Sequence, residues 1–297
     1  MVTTQQKEAL LYFKRNVAAW NEKAVLMDHE EINIIQQRNN YVIYAIENRH
    51  ATVSALDVGC GAGGLVCNIA QRGIAAVGID FTEEMINEAQ ENARKKNLAN
   101  AQFYCASIFD YDCSTTRYDV ISANGFIEYI SLEQLNQFLD ISYKALNPSG
   151  SLIVHSRNRL FNLLSLNRFT LMEIESGCAI ELLKEAVSLA SSVSIGEMSS
   201  MKTAPLQNSS TRHPKTSGIE IATRYQYTPM QLLQIFMRKG FEFVHIYPIH
   251  IHGVTPMFKD KNPAVHASIS NLLQSYAGQH PSLLPYCSGF MLHVQKK

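Results

Sequence analysis

The chain has 297 residues, with 26 basic and 26 acidic side chains balancing to zero formal charge, 46% hydrophobic and 18% charged positions. That balance belongs to an ordinary globular protein and lacks the basic field needed to track a phosphate backbone, so small or neutral substrates are favoured over nucleic acid. Six scattered cysteines without a C-x-x-C pair, no signal-peptide core and no run of about 18 apolar residues argue against a zinc framework, a disulfide scaffold or a spanning helix, and fit a cytoplasmic location.

Residues 1–50 are expected to form a helical cap. Leu10, Leu11, Phe13, Val17 and Trp20 make one apolar stripe at helical spacing, and Ile32, Ile34, Val42, Ile43 and Ile46 a second. Over 51–156 strand and helix alternate. Strands are predicted at Ala55–Val58, Ala75–Asp80, Gln102–Cys105, Tyr118–Ser122 and Ser151–His155. Helices fall at Gly64–Arg72, at Glu83–Lys96 with Thr82 as its cap, and at Leu132–Ala145, with a turn at Asn147–Gly150. The rhythm breaks over 157–223, where an apolar segment, a helix near Ile180–Leu189 and a Ser/Thr-rich stretch read as an inserted lid or substrate-binding element. Over 224–297 the pattern resumes: a helix from Thr228-Pro229 to Gly240, a strand Phe241–Tyr247, an inserted helix Pro263–Ala277 and a last strand Gly289–Val294. The expected fold is α/β, a Rossmann-like sheet of seven mostly parallel strands with helices on both faces.

The segment Leu56-Asp57-Val58-Gly59-Cys60-Gly61-Ala62-Gly63-Gly64 carries the most chemistry. Glycines 59, 61 and 64 fit the dinucleotide pattern G-x-G-x-x-G, with Asp80 near the expected distance. Asp57 points elsewhere, because a fixed anion beneath the turn repels a pyrophosphate and attracts a ligand bearing an ammonium and a sulfonium. S-adenosylmethionine (SAM) is such a ligand. Gly59, Gly61 and Gly63 leave room for its methionyl end, and Asp80 can accept from both ribose hydroxyls. Phe81 offers a surface to adenine, Ser107 and Ile108 lie where its amino group would be read, and Asn124 would line the floor beneath the methyl group. These positions follow strands, where ligands bind in open α/β sheets. Cys60 reads as a small filler. A NAD-dependent oxidoreductase and a non-catalytic SAM-binding protein stay open as alternatives.

The segments Leu56–Gly64, Val77–Asp80, Tyr118–Tyr129 and Ala145–Val154 resemble class I SAM-dependent methyltransferases, and within them the O-methyltransferases of quinone biosynthesis and their small-molecule relatives. The resemblance is firm over Val53–Ser156, loose in the C-terminal third, and absent from the insertion. It implies SAM as cofactor and methyl transfer to an oxygen, or a nitrogen, of a small organic acceptor. Two departures stand out. Ser107 replaces the usual acid after the third strand, which leaves adenine to backbone and Ile108. Glu128-Tyr129 replaces the usual Glu-His, so a histidine base does not carry over there.

The remaining candidates for proton removal are His155, at the end of the fifth strand, and His250 or His252; each of these is also a common packing residue. His250 and His252, two apart on an extended segment, face one side and could share a metal ion, but without a third ligand no metal site is expected. Glu128 and Tyr129 read either as acceptor-facing or as solvated. The apolar stretch Leu160–Met172 does not segregate to one face, which favours lid closure or core packing over contact with a membrane surface. The N-terminal helices, the insertion and the His250 region are expected to wall in the acceptor.

Overall fold

The computed structural model describes residues 4–20, 32–49, 51–191, 200–207 and 225–297. Seven strands, β1 Ser54–Val58, β2 Ala75–Asp80, β3 Ala101–Cys105, β4 Tyr118–Ala123, β5 Leu146–Arg157, β6 Phe241–Ile251 and β7 Cys287–Lys296, form one sheet in the order β3-β2-β1-β4-β5-β7-β6. The first five run parallel, and β7 is antiparallel to both β5 and β6. The chain reverses direction across the sheet between β1 and β4. Open α/β sheets bind their ligands in the crevice formed there, outside the carboxyl ends of the strands.

Both faces are buried because neighbouring strand residues send apolar side chains to opposite sides. Leu56, Ile121, Leu152 and Leu292 enter one core with Phe138 and Phe236. Ala55, Val120, Ile153 and Met291 enter the other with Val42, Leu65, Ile69 and Ile86. Each large aliphatic or aromatic side chain removed from water in this way contributes roughly 1.5–3 kcal/mol.

The helices sit close to their predicted places: α1 Thr4–Arg15, α2 Ile34–Glu47, α3 Gly64–Ala70, α4 Glu83–Lys95 and α5 Leu132–Ala145. The expected stripe divides, because Leu11 points outward, 54% exposed, while Leu10 and Phe13 of α1, and Trp20 beyond it, line a cavity. Thr82 stands at the N-cap of α4, yet its side chain makes no capping bond. Asp80 does that work, its Oδ1 accepting from Thr82 N at 2.9 Å. The predicted turn Asn147–Gly150 lies within β5, as a kink around Ser149 at φ +57°. Leu146 already pairs with Tyr118, and Asn147 Nδ2 donates to Asp119 Oδ1 at 2.8 Å, which ties the kink to the sheet.

The insertion begins as three helices, α6 Phe161–Leu164, α7 Arg168–Glu175 and α8 Ala179–Ala190. A buried ion pair fastens it. Arg159 Nε and Nη2 both donate to Glu173, at 2.9 and 2.7 Å, and Asn162 Nδ2 donates to the same carboxylate at 2.8 Å. The Ser/Thr-rich part expected through Ser217 falls largely outside the described residues. Beyond it come α9 Pro229–Arg238, α10 Pro256–Lys261 and α11 Pro263–Gln274, so the single inserted helix expected before the last strand is a pair. Thr228 and Gln231 form a reciprocal capping box that starts α9 at Pro229. No described helix is long and apolar enough to cross a membrane.

Candidate active site

The turn after β1 is shaped by its glycines. Gly63 has φ +76°, and a Cβ there would stand 2.6 Å from Phe103 and 2.8 Å from Ala89, so no other residue fits. Gly61 has φ +52° but faces open space. Ile79 O accepts from Gly59 N and Cys60 N at 2.8 and 3.0 Å, which fastens the turn to the end of β2. Cys60 is buried, its Sγ packs where a Cβ on Gly78 would go, and burial holds its thiol well above the usual range. It fills space, as its position in the turn suggested.

Two carboxylates sit beneath this turn. Asp57, at the end of β1, accepts from Ser122 Oγ at 2.6 Å. Burial pushes its carboxyl up to about 7, with the nearby Asp80 adding to the rise and the Ser122 bond opposing it. Asp80 accepts from Gly61 N through Oδ2 at 3.1 Å as well as from Thr82 N. Burial raises it too, against those backbone bonds. Each Asp80 oxygen keeps a second lone pair for a ligand hydroxyl.

A cavity of about 2170 Å³ opens above these groups. Asp57, Gly59, Gly61, Asp80, Phe81, Ser107, Ile108 and Asn124 line it, and so do His155, His250 and His252. The structure thus brings these residues to one chamber, whereas Gly63, expected to leave room for the methionyl end, does not line it and instead packs against Phe103 and Ala89. Ile108 is buried, Phe81 is 37% exposed, and Ser107 Oγ caps the next turn by accepting from Phe109 N at 3.3 Å. Asn124 Nδ2 donates to Asn39 Oδ1 at 3.4 Å, and its own Oδ1 has no partner among the described residues.

The far wall joins Arg38, to which the sequence drew no attention, with Arg157, Glu128, Tyr129 and His155. Arg38 of α2 lies over Gly125, where an added Cβ would come within 2.8 Å of its Nη1. Burial lowers its basicity and Glu128 opposes that effect. Arg157 pairs with Glu128 at 2.6 Å. Burial works against its charge too, but Glu128 and Tyr129 more than offset this and hold it above its ordinary value. His155 lies within electrostatic reach of both arginines, with Nε2 against Gly289 and Nδ1 without a partner among the described residues. Burial, reinforced by Arg38 and Arg157, keeps it neutral, well below the usual histidine range. Phe13 packs edge-on to Tyr129 at 5.5 Å, which carries the N-terminal helix onto this wall.

His250 and His252 stand at the end of β6 with ring centroids 4.1 Å apart, and α11 brings His266 against both, at 5.3 and 4.8 Å. His250 Nε2 and His266 Nε2 are 3.1 Å apart. Burial, then the neighbouring cationic groups, lowers all three, His252 to about 3. His266 is the third imidazole that the sequence did not reveal, because only the packing of α11 on β6 places it there.

Comparison with known proteins agrees with this architecture. The sequence model of a methyltransferase domain matches residues 49–207, more than half of the chain, and the chain belongs to that family. Among individual relatives, a ubiquinone biosynthesis O-methyltransferase of Rickettsia bellii is 26% identical over 162 residues, 54% of this chain and 65% of the relative. A protein of the same description from Coxiella burnetii is 25% identical over 142 residues, 48% of this chain and 58% of the relative. In each case the match spans less than two thirds of the relative. Among solved structures, magnesium protoporphyrin IX methyltransferase of Synechocystis with bound SAH aligns over 99% of this chain and 100% of its own, at TM-score 0.57 and 14% identity. The [4+2]-cyclase SpnF aligns over 99% and 97%, at TM-score 0.58 and 17% identity. These likenesses establish a shared Rossmann-like fold.

Proposed function

We propose that the protein is a SAM-dependent methyltransferase acting on a small organic acceptor that carries an acidic group. One observation supports this most: two buried carboxylates, Asp57 and Asp80, lie beneath a glycine turn at the switch point of a methyltransferase-family sheet, on the floor of a single cavity. Asp57 ionised would meet the ammonium of the donor, and Asp80 the ribose diol. Phe81 and Ile108 would flank adenine, with Asn124 below the reacting methyl. Pockets for a single drug-sized ligand span about 300–1,000 Å³, so this cavity has room for donor and acceptor together.

Methyl transfer is an in-line displacement. A bond forms from an acceptor oxygen to the methyl carbon as the sulfur–carbon bond breaks, and the sulfonium becomes a neutral thioether. Alignment supplies much of the rate. An acceptor hydroxyl must also lose its proton, which would pass to solvent in the cavity before the oxygen attacks. His155 is neutral and can accept a hydrogen bond, but the two arginines within electrostatic reach weaken it as a base. The same arginines, opposed among the described residues by Glu128, favour an acceptor whose acidic group enters ionised, and lower the pKa of a hydroxyl held near them. We therefore assign Arg38 and Arg157 to acceptor binding, and His155 with the His250–His252 edge to holding the acceptor oxygen. An oxygen is the favoured target over nitrogen for the same reason.

The test compares thermal stabilisation by SAM, S-adenosylhomocysteine and NAD, with Asp80→Ala as control. A ligand at a hundred times its dissociation constant stabilises by about 2.7 kcal/mol. A response to NAD without one to the SAM pair overturns the reading. Transfer of labelled methyl from SAM to a panel of acidic and neutral phenols should then favour the acidic members, and Arg38→Met should erase that preference. Binding of SAM with no transfer to any oxygen or nitrogen acceptor would instead mark a non-catalytic SAM-binding protein.

A further inference from the structure

We propose that His250, His252 and His266 form a binding site for a first-row divalent metal ion of the zinc type, set in the wall of the acceptor cavity. One nitrogen from each ring lies within 4.8 Å of the other two, and all three side chains are buried. Imidazole is a ligand of choice for zinc, copper, iron and nickel, and three such ligands with an open position is a recurrent catalytic-type set. Two nitrogens bound tetrahedrally at about 2.0–2.1 Å stand roughly 3.3 Å apart. His250 Nε2 and His266 Nε2, 3.1 Å apart, already match that spacing.

Three further features point to a ligand rather than to ordinary packing. Both nitrogens of His252 and Nδ1 of His266 are buried without a hydrogen-bond partner among the described residues. A cluster held only by mutual hydrogen bonds would satisfy such atoms. The other nitrogen of His250, Nδ1, lies 3.0 Å from Ser288 Oγ, the kind of outer partner that fixes the tautomer and aim of a metal-binding imidazole. Finally, His250 holds φ +54°, with its backbone N–H donating to Gln37 Oε1 at 2.8 Å. A left-handed histidine is uncommon, and here it carries a ring packed against those of His252 and His266. Lys259 and Asp260 also line the cavity, and both act electrostatically on His266 with opposite sign. His250 and His252 themselves line it, so a bound ion would face the chamber on one side.

This inference does not rest on methyl transfer, and its test reads metal uptake. The full chain, free of any histidine tag, is stripped with EDTA and titrated with Zn2+ and separately with Co2+. The expected result is one ion per chain, visible ligand-field bands with Co2+, and an apparent affinity about tenfold or more weaker in His266→Gln. His266→Gln should melt with the metal-free wild type and lose the metal-induced rise in Tm. If that variant fails to fold, the wild type decides alone: crystals soaked in Zn2+ should show one anomalous peak between the three rings. Absence of saturable one-to-one uptake, equal affinity in a folded His266→Gln, or no anomalous peak at the rings overturns the site.

Discussion

Replacing Asp57 by asparagine separates a carboxylate that binds a cationic ligand from one that only packs. The side chain is 4% exposed, accepts a 2.6 Å bond from Ser122, and is pushed up to about 7, chiefly by burial. An ammonium can pair only with its ionised form, so below pH 7 binding of SAM must first expel a proton. The apparent affinity then falls by a factor of one plus ten to the power of pKa minus pH, roughly 2 at pH 7, 10 at pH 6 and 30 at pH 5.5. Over this window an α-amino group stays protonated, since its ordinary value is about 7.7–8.0, so the slope reports the protein. Titration calorimetry at pH 5.5, 6 and 7, in two buffers of different ionisation enthalpy, should show that loss and about one proton released per ligand at the acid end. Asp57→Asn should bind weakly with no slope. Flat wild-type affinity, or the same slope in the variant, would refute the pairing. Stability runs the opposite way. A folded-state value raised above the ordinary 3.8 means the fold prefers the protonated acid, so stability is lost as pH rises from the ordinary carboxylate range through 7. The cost of ionising Asp57 is about 4 kcal/mol. The unliganded Asp57→Asn protein should therefore outlast the wild type in urea at pH 8.

Other outcomes follow from the same structure. Glu185 is fully buried, accepts from Met230 N at 3.1 Å, and is raised by burial to about 7, so wild-type stability should decline between pH 4.5 and 7 by about 3 kcal/mol from this group, a decline that Glu185→Gln removes in urea denaturation across that range. Glu173→Ala strands Arg159 in the insertion and should cost about 3–5 kcal/mol of unfolding free energy; a loss under about 1 kcal/mol would mean the pair is solvated. Gly63→Ala meets Phe103 and Ala89 and should lower stability by more than about 2 kcal/mol, whereas Gly61→Ala, with open space around it, should lose only about 1 kcal/mol. Equal losses in the two glycine variants would place the constraint in backbone dihedrals alone.

What the sequence disclosed was what local chemistry determines. Asp80 closes its predicted strand and Asp57 stands next to the end of its own, and in a parallel sheet strand ends meet at one rim, so their convergence followed from periodicity alone. The same reasoning placed Ser107, Ile108 and Asn124 on that rim. Long-range contacts were not legible. Ser122 shows no sign in its own segment that its hydroxyl will hold Asp57, because their proximity depends on the β1–β4 register that pairs them. Arg38 reads as one of the polar run Gln36 to Asn40 until α2 is laid across Gly125. His266 follows His252 by a loop and a short helix, and only the docking of α11 on β6 makes it a neighbour. The kink at Ser149 looked like the end of a helix–strand turn because Asn-Pro-Ser-Gly has that local preference. Pairing of Leu146 with Tyr118 overrides it and extends the strand.

The cavity wall draws on residues from Ala9 to Gly289, and the last strand, β7, is threaded between β5 and β6 rather than added at an edge. Its slot must stay open while β6 and the helices after it are made, and it pairs on both sides with strands already in being. During synthesis, the turn that grips the proposed donor can therefore form long before the chamber has its far wall. A chain halted before Cys287 would leave the inner edges of β5 and β6 unpaired and the chamber without Ser288 and Gly289. Completion of the pocket is thus coupled to a non-local pairing that must wait for β7, and a chain that has not yet made β7 lacks that part of the site.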